Sequence, residues 1–163
     1  MELEDLTLKE RLLLSTRVQR DSARFFHTLA TTLKPADAES TRLLENLALD
    51  EATFEERLYL LDRKVPWSTV LHLDERAVRS ILHRHLPQLY RWVAVRGASP
   101  ENALKLARDI EQEIANFHEV LARDCNDADS QSLLESFCEK ERAQVARLID
   151  SLQTTARLET ARP

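Results

Sequence analysis

The chain has 163 residues, enough for one domain with one sizeable core, and its 43 % hydrophobic and 31 % charged content is ordinary for a globular protein. A single glycine, Gly97, cannot supply the tight turns of a large β-protein, so an all-α fold is expected. The net charge of −5 and the scattered arginines argue against a nucleic-acid-binding module. No apolar run reaches the length of a membrane span, and the acidic residues 1–5 do not read as a secretory signal, so a cytoplasmic protein with no membrane association is expected.

In chain order, Thr7-Leu8-Lys9-Glu10 has the form of a capping box, and apolar residues then recur at helical spacing through Leu8, Leu12, Phe26, Leu29 and Leu33. A first helix over residues 7–33 follows, ended by Pro35. A second is expected over 37–63, with Leu44, Leu47, Phe54, Leu58 and Leu61 as its stripe and Pro66 as its close. Residues 74–86 read as a short helix broken or kinked at Pro87, with another turn or two over 89–95. Ser99-Pro100-Glu101 opens a third long helix reaching about residue 124, with Ser99 as cap and Pro100 in the first helical position. The polar run 126–130 is a loop or cap, and the last long helix covers about 130–158. The plan is one four-helix domain over 1–163, two helix hairpins joined by a long crossover at about 64–98 that contains one or two short helices.

The two cysteines, Cys125 and Cys138, have neither zinc-ribbon nor redox-pair spacing, and their heights on adjacent helices do not match for a disulfide. They read as ordinary, partly buried thiols. The halves of the chain resemble each other: the stretch 21–30 aligns with 113–122 and 43–51 with 133–141, at offsets of about 92 and 90 residues. The repeat makes Gln19 equivalent to Glu111 and Glu51 equivalent to Glu141.

Several polar residues fall on the apolar stripes. Gln19 on the first long helix, Glu51 on the second, Glu111 and His118 on the third, and Glu141 and Gln144 on the fourth should all point inward. Buried carboxylates are costly unless paired, protonated or bound to a cation, so three near one level of a core suggest a metal. The competing expectation is that they rotate outward or meet an arginine such as Arg57 or Arg147. His83 and His85, two residues apart, face different sides of a helix and with His72 make a poor site. Trp67, Tyr90 and Trp92 are expected to pack the crossover onto the bundle or a partner subunit.

This layout resembles the rubrerythrin branch of the ferritin-like superfamily. The helix ending Glu111-Gln-Glu-Ile-Ala-Asn-Phe-His118 is similar to the family pattern of a glutamate six residues before a Phe-Tyr pair. Leu47-Ala-Leu-Asp-Glu51 looks like the start of its Leu-Ala-x-x-Glu-x-x-His segment. The resemblance implies a di-iron carboxylate bundle, with Glu111 as a terminal ligand and Glu51 and Glu141 as bridging ligands. Gln19, Phe54 and Gln144 stand where further ligands would be, so three of six are replaced. The expected remnant is one metal at most, iron or else manganese or zinc, held by Glu51, Glu111, Glu141 and the carbonyl oxygen of Gln144, with His118 and Gln19 as lesser candidates.

Three function classes follow. One is an active di-iron peroxidase or oxidase, or an iron-handling protein, weakened by the missing ligands and by the lack of a rubredoxin-like Cys-x-x-Cys pair. The second is a non-catalytic metal-binding protein. The third is a structural or interaction bundle in which the inward glutamates are protonated or paired. The preferred reading lies between the second and third, with a homodimer compatible with the family and no small-molecule substrate indicated.

Overall fold

The computed structural model describes residues 3–33, 37–65, 73–90, 99–123 and 125–160. They form a 3-10 turn at Leu3–Asp5 and six helices: α1 (Leu8–Leu33), α2 (Ala38–Asp62), α3 (Glu75–His85), α4 (Pro87–Tyr90), α5 (Pro100–Arg123) and α6 (Ala128–Thr160). Among the described residues there is no strand, and no helix is long and apolar enough to cross a membrane.

Local chemistry accounts for where the helices begin. The Thr7–Glu10 capping box closes in both directions: the Glu10 amide donates to Thr7 Oγ1 at 3.3 Å, and the Thr7 amide donates to Glu10 Oε2 at 2.9 Å. The other Glu10 oxygen accepts the Leu73 amide at 3.1 Å, so the same carboxylate also ties the residue just before the α3 cap to α1. Asp37 caps α2 by accepting the Glu39 amide, and Asp74 caps α3 by accepting the Ala77 amide. Ser99 accepts the Asn102 amide at 3.2 Å, and Pro100 takes the first position of α5. Asp127 accepts the Ser130 amide at 2.9 Å, so α6 starts two residues earlier than the polar run suggests. The helical path breaks at Pro87 as expected: α3 ends at His85, Leu86 leaves helical geometry (φ −129°, ψ 55°), and Pro87 opens α4.

Cross-helix contacts define the arrangement. Lys9 meets Asp62, Arg20 meets Glu55, and Ser22 meets Glu51, so α1 and α2 run antiparallel. α5 and α6 are joined by only four residues, and one surface groove is lined by Glu119 and Arg142 together with Ala122, Arg123, Gln131 and Glu135, so these two also run antiparallel. Arg11, near the start of α1, donates through Nη1 to Leu121 O near the end of α5 at 3.0 Å, so these two are also antiparallel. The chain leaves α2 at one end of the assembly and enters α5 at the other, so the segment between must traverse its length. α3 and α4 do this along α1 and α5: Arg17 approaches Glu75 at 3.8 Å, the Tyr90 hydroxyl donates to Asp21 at 2.9 Å, and the Gln88 amide donates to Glu113 at 3.0 Å.

One continuous hydrophobic core takes side chains from every element, with Leu12, Phe26, Leu44, Leu58, Leu104 and Phe137 among those fully or almost fully buried. Val78, Ile81 and Leu82 bury the apolar face of α3 against it. Arg11 is buried as well, and its guanidinium donates to three main-chain carbonyls, those of Glu4, Leu6 and Leu121. A cation at the last turn of α5 suits the helix dipole and pins the 3-10 turn to the bundle.

Candidate functional site

Helical periodicity carries the inward-pointing polar residues into the middle of this core. Gln19, Glu51, Glu111, His118 and Glu141 are fully buried and Gln144 is 2 % exposed. Neither alternative for the glutamates is realised: none turns out to solvent, Arg147 pairs with Asp50, and Arg57 lines a surface groove with Leu60, Lys64 and Leu133.

The six residues divide into an occupied group and an unoccupied one. Glu141 is occupied. It accepts from Gln19 Nε2 at 3.0 Å and lies 2.9 and 3.1 Å from His118 Nδ1 through its two oxygens. A carboxylate on Nδ1 orients the imidazole and leaves Nε2 as the free nitrogen, and His118 Nε2 is buried without a partner. Because a carboxylate only accepts, the Gln19 amide orientation is fixed, and its Oε1 is left buried and unpartnered. The same logic fixes Gln144: Nε2 donates to Asp50 Oδ2 at 3.0 Å, and Oε1 is buried without a partner.

Glu51 and Glu111 are the unoccupied group. Glu111 has no hydrogen-bond partner on either oxygen, and Glu51 has one on Oε2 only, the Ser22 hydroxyl at 2.6 Å. Burial first, then the nearby Glu51 and Glu141 carboxylates, push the Glu111 carboxyl well above the usual carboxylate range. Burial and Glu141 do the same to Glu51, against the Ser22 hydrogen bond. The neutral acid is therefore the favoured form of both in the absence of a cation. Ser22 has a single hydroxyl proton, and Val18 O also lies within 2.9 Å of its Oγ.

Phe54 stacks on Phe137 of α6 with ring centroids 4.7 Å apart, and His118 meets the edge of Phe137 at 6.0 Å. This part of the core is thus closed by aromatic packing. As the side chains stand, no three or more His, Cys, Asp or Glu among the described residues form a group that could hold a metal ion. Glu111 Oε1 and Oε2, Glu51 Oε1, Gln19 Oε1 and Gln144 Oε1 are all oxygens, and all four long helices contribute.

Sequence patterning places all six candidate residues correctly in the interior. It misses Ser22 and Ser15, the latter a buried hydroxyl without a partner. Both lie on the α1 stripe that contains Gln19, so the signal was present. Asp50 is missed because it lies off the stripes; Gln144 connects it to the interior, and Arg147, expected as a partner of an inward glutamate, meets Asp50. Cys125 and Cys138 are free and buried. His83 lies against Tyr90 and His85 against Phe117, so the two histidines have separate neighbours. His72, Trp67 and Trp92 fall outside the described residues. No family model, no curated protein and no solved structure matches the chain.

Proposed function

We propose that the chain is a ferritin-like bundle of the rubrerythrin type whose buried carboxylate site binds one divalent cation and lacks dinuclear redox chemistry. The observation that carries the reading is the set of five partnerless buried oxygens on Glu111, Glu51, Gln19 and Gln144. The long crossover between two antiparallel hairpins supports the ferritin-like part. The Phe54–Phe137 stack argues against a second metal, since a phenyl ring offers no ligand. Glu51 and Glu111 would hold the ion, with Gln144 Oε1 beside them and Glu141 held in place by Gln19 and His118. Iron, manganese and zinc are the candidate ions, and each would supply charge neutralisation to two otherwise protonated acids. Thermal unfolding with and without Fe(II), Mn(II) and Zn(II) tests this, comparing the native chain with an E51Q/E111Q/E141Q variant. At a hundred-fold excess over Kd a bound ion stabilises by about 2.7 kcal/mol, an effect the triple variant should lose. A native chain indifferent to all three ions would overturn the reading.

The commitment of Glu141 to Gln19 and His118 favours a second reading, a metal-free structural bundle with protonated core acids. In that case the glutamine replacements are neutral or stabilising, whatever metal is added.

A further inference from the structure

Among the described residues five large apolar side chains are exposed, and three of them, Leu49, Tyr59 and Leu60, lie on α2. Single exposed leucines are ordinary on a protein surface, but a concentration on one helix is not. Leu49 is 66 % exposed and Leu60 54 %. They are eleven residues apart, about three helical turns, so they share one face at a spacing of roughly 16 Å. That face lies opposite the buried one, which carries Leu47, Glu51, Phe54 and Leu58. Ala52 and Thr53, between the leucines, are small and exposed, so a second backbone can approach closely. The charges on this face are sorted along the helix: Glu45 stands one turn before Leu49, and Arg63 and Lys64 stand one turn after Leu60. All three are exposed, and the ion pairs of α2 among the described residues use Asp50, Glu55 and Asp62 instead. Leu60 also opens onto the surface groove beside α6, which Leu61 and Leu133 line as well.

We propose that this face of α2 is a self-association surface, on which a second copy of the chain lays its own α2 antiparallel about a two-fold axis near residues 54–55. The occupant follows from the charge pattern. Read forward, the face gives acid, leucine, leucine, base at steps of one, three and one turns; read backward, it gives base, leucine, leucine, acid at the same steps. An antiparallel register that sets Leu49 of each copy against Leu60 of the other therefore sets Glu45 of each beside Arg63 and Lys64 of the other, twice by symmetry. A parallel pairing would bring Glu45 to Glu45 and Lys64 to Lys64, so charge opposes it. Glu56 works against the antiparallel pairing, since it lies beside the axis and close to its own copy. The seam is short and its rim charged, which fits a reversible dimer with a Kd of roughly 10 µM. The inference does not depend on whether the core holds a metal.

Sedimentation equilibrium of the full-length chain over roughly 1–300 µM reads the dimer directly. The native chain should be dimeric at the top of that range and dissociate on dilution. L49E and L60E, both at exposed positions, should each weaken the dimer at least about tenfold while keeping the circular dichroism of the native chain. E45K and R63E should each weaken it about threefold, and E45K/R63E together should restore most of the loss, because the swap rebuilds the same pair in the opposite sense. E56Q should tighten it. A chain that stays monomeric at every concentration overturns the proposal, as does a dimer indifferent to L49E and L60E. A dimer weakened by the leucine variants and by each charge reversal, yet not rescued by E45K/R63E, overturns the antiparallel register.

Discussion

A carboxyl group with neither oxygen hydrogen-bonded, as in Glu111, can be tolerated inside a core only as the neutral acid or beside a cation. That condition has a measurable consequence. An acid whose carboxyl is raised in the folded chain above its unfolded value binds more protons folded than unfolded. The stability it contributes is therefore present below the ordinary carboxylate range and is lost as pH rises through and beyond it. For the metal-free protein, an E51Q/E111Q variant should match the native chain near pH 4 and exceed it increasingly toward pH 8. The gap should grow by up to about 1.4 kcal/mol per pH unit for each group, read from urea unfolding at a series of pH values. Phe54 makes a separate claim at this scale. It is buried and stacked on Phe137, so Phe54→Ala should cost about 3–5 kcal/mol in the same measurement. The inward direction of each of these residues was legible from periodicity alone. Which hydrogen bonds each would make was not, because that depends on partners such as Ser22 and Asp50, brought within reach only when the helices pack.

At the scale of the element, capping chemistry decides where helices start. Thr7, Asp37, Asp74 and Ser99 were readable as caps or as the first residues of helices, and the structure uses each as an N-cap. The start of α6 was misplaced because several polar residues between 126 and 130 could serve, and only the Asp127–Ser130 hydrogen bonds select among them. Thr7→Ala should cost about 0.5–2 kcal/mol. Glu10→Ala should cost more than a cap alone, since Glu10 also accepts the Leu73 amide, and hydrogen exchange at Leu73 should accelerate in that variant. Tyr90→Phe removes the hydrogen bond to Asp21 that secures the crossover and should cost about 0.5–1.5 kcal/mol.

For the whole molecule, two hairpins and a traversing crossover bury at least one polar residue from each long helix in the core. Helix number, hairpin pairing and the need for a crossover were legible, because caps, stripes and the internal repeat repeat the same plan in each half. The path of the crossover was not, because the apolar face of α3 does not say which helices it packs on, and the contacts that place it, such as Tyr90–Asp21 and Gln88–Glu113, join residues far apart in sequence. The repeat also hides an asymmetry of hydrogen bonding: Glu141 meets His118 and Gln19, while its counterpart Glu51 has only Ser22. On the cation-binding reading proposed above, the site would hold one ion. The most direct test is the metal content of the full-length protein, purified without chelators or a metal-affinity column and then dialysed against Fe(II), Mn(II) or Zn(II). The account predicts about one ion per chain, absent from the E51Q/E111Q/E141Q variant; a native chain that retains none of the three, or two per chain, would contradict it.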